Sequence, residues 1–239
     1  MSRQEAARQL LASQPSDADL EALTGALERD KGMFPAIEDT SALAALKKPS
    51  LKPFWESELS HESIRRRAEA VRAFADLPND SSDDAKIRGL LDDQQPYDVV
   101  SAAIMTLDKV DYDASKPQIL ALASKADNTE IRSAALEAVL HHDQEQGKDL
   151  TFKSLEASQP DSVREAGLSA LGDIKGEDPR VTSYLREALK SPGFNGVFRA
   201  INIITVHKMK QMIPDLEALK KKNPRFAGFI DQTIAQIKS

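Results

Sequence analysis

A nine-residue pattern recurs five times in this 239-residue chain. It reads Arg66–Phe74, Val99–Leu107, Ile131–Val139, Val163–Leu171 and, more loosely, Phe198–Val206. The starts at 66, 99, 131, 163 and 198 give steps of 33, 32, 32 and 35. Self-similarity at such a period marks a stacked array, because one repeat alone cannot bury its apolar face. Apolar residues at positions 1, 5, 6 and 9 keep the spacing of one helix face, with the first position degraded in the repeat that starts at Arg66. Positions 4 and 5 are small (Ala102-Ala103, Ala134-Ala135, Ala166-Gly167), so a neighbouring helix can come close. Asp98, Asn128 with Glu130, and Asp161 stand where they can cap these helices and meet the positive end of the dipole.

A shorter second helix is expected after each first one, at Asp84–Leu91, Lys116–Ser124, Asp149–Ala157, Asp178–Leu189 and Gln211–Lys222. In the fourth, Asp178-Pro179 supplies a cap followed by proline in the first turn. The start of the chain is less regular. Arg3–Ser13 and Asp17–Arg29 read as one pair, the pattern blurs over Lys31–Ser50, and Leu51–Leu59 reads as a second helix with Pro53 in its first turn. Arg225–Ile237 carries one apolar stripe and suits the capping helix that such an array needs. The expectation is an all-α, right-handed α-α superhelix of about six to seven helix pairs. It would form a single array over 1–239, irregular over 1–60, regular over 61–208, and closed by C-terminal helices over 209–239.

Composition narrows the function. Aromatics make up only 5% of the chain, which suits packed helix pairs better than strands. A net charge of −6 argues against a nucleic-acid surface, which needs clustered Lys and Arg. With no cysteine, disulfides, thiolate zinc sites and a thiol nucleophile are excluded. Met1–Glu5 leads into a polar helix pattern without a signal peptide's apolar core, and no apolar run approaches about eighteen residues. A soluble protein with no membrane partner is expected, with a slight preference for the cytoplasm.

Candidate chemistry is sparse. His141-His142 are adjacent at a helix end, so their rings diverge by roughly 100° and suit the helix dipole better than a metal. His61 and His207 are isolated. Asp83-Asp84 and Asp92-Asp93 lack the alternating ligands and glycine turn of a calcium loop. Arg67, Arg132, Arg164 and Arg199 recur at position 2 and predict an arginine ladder between repeats. Lys220-Lys221-Lys222 with Arg225 forms a basic helix end. Trp55, the only tryptophan, is read first as packing and second as a partner anchor. There is no phosphate loop, nucleophile elbow or Ser/His/Asp order. Neither a catalytic residue, a metal ligand nor a cofactor site is expected in this chain. The candidate contacts to a protein or peptide partner are Trp55, Arg88, Lys153 and Arg186, the last three on the second helices.

Val163-Arg164-Glu165-Ala166-Gly167-Leu168-Ser169-Ala170-Leu171-Gly172, with Asp178-Pro179 after it, resembles HEAT repeats of the short prokaryotic type found in phycobilisome lyase-like proteins. The resemblance covers about Arg3 to Ile237 and implies an armadillo/HEAT-type solenoid that binds or scaffolds. A narrower likeness rests on Gln4–Leu10, then Asp19–Leu23, an irregular stretch, and Ile64–Phe74. In that order they look like the C-terminal HEAT-repeat region of bacterial aminopeptidase N–like zinc peptidases. That family binds zinc through His-Glu-x-x-His with a distant Glu. Here the nearest string, His61-Glu62-Ser63-Ile64-Arg65, has Arg in place of the second ligand. The likeness therefore implies an ancillary domain whose covalently linked peptidase half lies elsewhere. The alternatives are a stand-alone adaptor and, further off, a lyase-like enzyme needing an acid or base in its groove.

Overall fold

The structure, a computed structural model, describes residues 9, 12–13, 15–29, 40, 43–92, 94–191 and 193–239. Every regular element among them is helical. The helices are α1 (Asp17–Arg29), α2 (Lys52–Glu58), α3 (Ile64–Ala73), α4 (Ser81–Arg88), α5 (Tyr97–Val110), α6 (Tyr112–Lys125), α7 (Thr129–His142), α8 (Gln144–Ser154), α9 (Asp161–Ala170), α10 (Pro179–Lys190), α11 (Phe194–Val206), α12 (Ile213–Lys222) and α13 (Ala227–Lys238). The expected helix at Arg3–Ser13 and the stretch after Asp30 lie largely outside the described residues. Contacts divide the chain into two compact units, 1–119 and 120–239.

Each unit is built from paired helices. In the N-terminal unit α3 packs along α5, with α2 against α3 and α4 against α5. In the C-terminal unit α7, α9, α11 and α13 follow one another side by side, while α8, α10 and α12 cover them. The all-helical class read from the repeats is the class observed. Position 5 of the repeats, Ala70, Ala103, Ala135 and Gly167, is buried throughout, and so are Val71, Ile104, Leu136 and Leu168 at position 6.

The last repeat is out of register as read from sequence. Phe198 and Val206, assigned to positions 1 and 9, are exposed at 45% and 69%. Val197, Ala200, Ile201, Ile203 and Ile204 are buried, with Ala200, Ile201 and Ile204 fully so. Moving the start back two residues, to Gly196, puts the last three at positions 5, 6 and 9 and makes the step from Val163 33 residues. The register starting at Phe198 puts the polar Asn202 at position 5, whereas the observed one puts the small, buried Ala200 there.

Caps account for the other shifts. The N-cap of α4 is Asp80, which accepts from the amides of Ser82 and Asp83 while Asp83 accepts from the Asp80 amide. The helix therefore starts three residues before the expected Asp84. Asp143 caps α8 through the Gln146 amide, so the helix starts at Gln144, five residues ahead of the expected Asp149. Pro117 points to a start at Lys116, yet α6 begins at Tyr112 and carries Pro117 inside. Asn128 and Asp178 cap as expected. Asp98 and Asp161 lie within the first turns of α5 and α9, after Pro96 and Pro160, and meet the dipole without capping.

Two contacts hold the pairs tightly. A Cβ on Gly147 of α8 would lie 2.8 Å from the Leu140 Cα of α7. On Gly167 of α9 it would meet Thr151 O of α8 at 3.2 Å. In the N-terminal unit the buried Arg66 forms a bidentate pair with the buried Glu58, Nε to Oε2 and Nη2 to Oε1, both at 2.5 Å. It ties α2 to α3, and position 1 of this repeat is thus filled by an ion pair instead of an aliphatic side chain.

Gly147→Ala is expected to lose about 1–3 kcal/mol in chemical denaturation, because the clash is with backbone. Gly228→Ala, where nothing lies within 4 Å of the new methyl, should be neutral or gain up to about 1 kcal/mol. Glu58→Gln should cost about 3–5 kcal/mol, since it strands a buried guanidinium charge. Replacing Glu58 and Arg66 together by leucine and methionine should recover most of that loss, as read from the same urea transitions.

Candidate functional site

The second helices were expected to present a binding face, and their polar side chains mostly pair with one another. In the N-terminal unit Lys52 of α2 meets Asp83 of α4 at 2.5 Å, and Lys86 of α4 reaches Glu56 of α2 at 3.1 Å. Arg88, at the end of α4, pairs with Asp111 and donates to the Ser115 hydroxyl of α6. In the C-terminal unit Arg186 of α10 pairs with Asp215 of α12 at 3.1 Å. The Phe152 ring of α8 stacks on Tyr184 of α10, 5.8 Å between centroids, with the Arg180 guanidinium 4.0 Å above Phe152.

Of the four candidate contacts, Trp55 and Arg88 thus belong to the N-terminal unit, and Lys153 and Arg186 to the C-terminal one. Trp55 is 1% exposed and sits edge-on to Phe54 at 4.9 Å, a packing position. Arg88 and Arg186 are engaged in the ion pairs just described. Lys153 is exposed on α8.

The arginine ladder expected at position 2 is absent among the described residues. Arg67 donates to the His61 and Glu62 carbonyls, and Arg132 donates from Nε to the Ala126 carbonyl at 2.7 Å. Both reach six residues back and hold the linker that enters their own helix. Arg164 pairs with Asp161 in its own first turn, and the corrected register removes Arg199 from the series.

Position 11 carries the link between repeats instead. Asp76 takes Lys109, 33 residues on, at 2.5 Å, and also Lys47 at 3.0 Å. The Lys109 and Lys47 ammonium groups hold Asp76 below the ordinary carboxylate range. One pair further, His141 Nε2 lies 3.8 Å from Asp173 Oδ1, again position 11 to position 11. The pattern was legible as a 32- to 33-residue spacing between an aspartate and a basic side chain, but single residues in a varied column give it little contrast.

Around Asp173 the C-terminal unit gathers a cluster that the sequence does not announce. Glu137, one turn before His141 on α7, accepts from the Ser133 hydroxyl at 3.1 Å. Burial pushes the Glu137 carboxyl up, as does the Asp173 charge, while His141 and Arg199 pull it down. Burial likewise raises Asp173, against the pull of His141 and His207. His207 also lines an open cleft of about 650 Å³ between Leu171, Asp178 and Met209. No group of three or more ligating side chains that could hold a metal occurs among the described residues.

Residues 52–140 match the family of HEAT repeats. Over that span the helix pairs match HEAT repeats, and the all-helical chain is consistent with an α-α solenoid. The matched span opens at the first residue of α2, covers the repeats starting at 66 and 99, and ends ten residues into the one starting at 131. No curated protein matches the chain. Among the described residues no helix is long and apolar enough to cross a membrane.

Glu137→Gln is expected to raise the melting temperature at pH 7. A carboxyl raised in the folded state favours folding only below its unfolded value of about 4.3, and that contribution is lost as pH rises through the folded value. The amide removes the buried charge and keeps an acceptor for Ser133. The gain over the parent chain should therefore shrink as pH falls toward 4, in a series of thermal melts; a gain independent of pH would assign the effect to packing.

Proposed function

We propose that this chain is a non-catalytic protein-interaction scaffold of the HEAT type. The observation that carries this is the HEAT match over residues 52–140 on a chain of stacked helix pairs, since such arrays present long surfaces built of second helices. Internal ion pairs occupy Arg88 and Arg186, which leaves exposed positions such as Lys153 as the contacts to a partner.

A narrower reading makes the scaffold an ancillary domain of an aminopeptidase N–like zinc peptidase, walling its chamber or positioning substrate. It is supported by the ordered likeness of Gln4–Leu10, Asp19–Leu23 and Ile64–Phe74 to that region. An upstream His-Glu-x-x-His in the same reading frame would decide for it, and a reading frame without one would leave the adaptor.

Affinity capture with the tagged chain tests the scaffold itself. A protein partner should co-purify, and Lys153→Glu should lower its recovery by about threefold or more without moving the melting temperature. Arg88→Ala and Arg186→Ala should change both, because each breaks an internal pair. Recovery of small ligands alone, with no protein, would count against a scaffold.

A further inference from the structure

An apolar cleft opens where α10 ends, α11 begins and α12 turns into the short helix Pro224–Phe226. Leu189, Val197, Leu219 and Phe226 floor it, and its volume is about 400 Å³. That is the low end of the range for small-ligand pockets, about 300–1,000 Å³, and fits one or two side chains. The rim is cationic: Lys190, Lys222 and Arg225 stand around the floor, and no carboxylate lines it among the described residues.

The charge pattern needs an explanation, because the chain as a whole is acidic, with 38 Asp and Glu against 32 Lys and Arg. The dipole at the end of α12 favours Lys220, Lys221 and Lys222 individually. The end of α10 favours Lys190 in the same way, but neither dipole explains why Arg225 joins Lys190 and Lys222 at one opening, where like charges repel. Lys220 turns away to pair with Asp231. Lys190 reaches Glu187 at 2.9 Å in a fully surface pair, which holds it weakly. Neither Lys222 nor Arg225 has an ion-pair partner among the described residues. The opening thus joins an apolar floor to two cations, Lys222 and Arg225, that no carboxylate among the described residues pairs with.

We infer that this cleft docks a short acidic segment of a protein partner, with one leucine- or phenylalanine-sized side chain on the floor. Carboxylates on either side of that side chain meet Lys222 and Arg225, with Lys190 released from Glu187 to join them. The apolar contact supplies affinity, and the charges set orientation and exclude basic segments. The inference rests on the scaffold role and names the chemistry of one partner contact.

The test uses the full chain and a fluorescein-labelled peptide of glutamates around a single leucine, followed by fluorescence anisotropy. Saturable binding is expected, weakened about tenfold when serine replaces the leucine and about tenfold again by Lys222→Glu with Arg225→Glu. Both substituted positions are exposed; Lys222→Gln with Arg225→Gln, a milder change, should give an intermediate loss with an unaltered thermal melt. A leucine flanked by lysines should not bind. Equal binding of the serine and leucine peptides would reduce the effect to surface charge and overturn the proposal. So would full binding by the charge-reversed chain, the absence of peptide binding, or displacement by decanoate alone. A protein partner still captured by the charge-reversed chain would leave the scaffold standing and remove this cleft from it.

Discussion

Ala103, Ala135 and Gly167 occupy the same position of their repeats and are buried, and at Gly167 the preceding helix α8 comes within contact of the backbone. At Gly167 and Gly147 the spacing between helices is set by the absence of a side chain, with backbone or the root of a leucine within about a methyl's reach. Once that separation is fixed, the larger residues at positions 6 and 9 fall into the remaining space. The second helix must then lie where its own apolar teeth meet them, as Val181, Leu185 and Leu189 of α10 do. The polar faces left over are the ones that carry ion pairs and any partner.

Much of this was legible because the small residue and its flanking aliphatics repeat together. The reading failed where two faces of one helix both carry apolar residues. In α11 Phe198 and Val206 compete with Val197, Ala200, Ile201 and Ile204, and packing against α9, α10 and α13 buries the second set together with Ile203. Phe198 instead stacks on Phe229 of α13, 5.1 Å between centroids, so the last first-layer helix is bound through a residue the pattern assigned to the core. Helix starts were missed for a related reason. Asp80 and Asp143 are ordinary acids in acid-rich linkers, and only geometry singles out the one whose oxygen meets the free amides.

The polar contacts were the least legible part. Arg67 and Arg132 share a position, and that recurrence reflects a local duty, closing the linker six residues behind, with no contact along the array. The Glu137–Asp173 cluster draws on α7, on the turn after α9 and on α11, elements separated by tens of residues, and each member alone looks like solvated surface. The cationic cleft has the same origin, since Lys190 and Arg225 meet only because two helix ends converge.

The position-11 contacts also bear on how such an array can change over time. Asp76 faces Lys109 and His141 faces Asp173, so neighbouring repeats carry unlike members of a pair. Duplicating the repeat that starts at Val99 would set a lysine opposite its own copy, and duplicating the one that starts at Val163 would set two half-buried aspartates together. Apolar packing alone would tolerate such copying, because every repeat offers nearly the same floor. The charges give the repeats an order, and a chain of this kind lengthens by divergence of its ends more readily than by insertion into its middle.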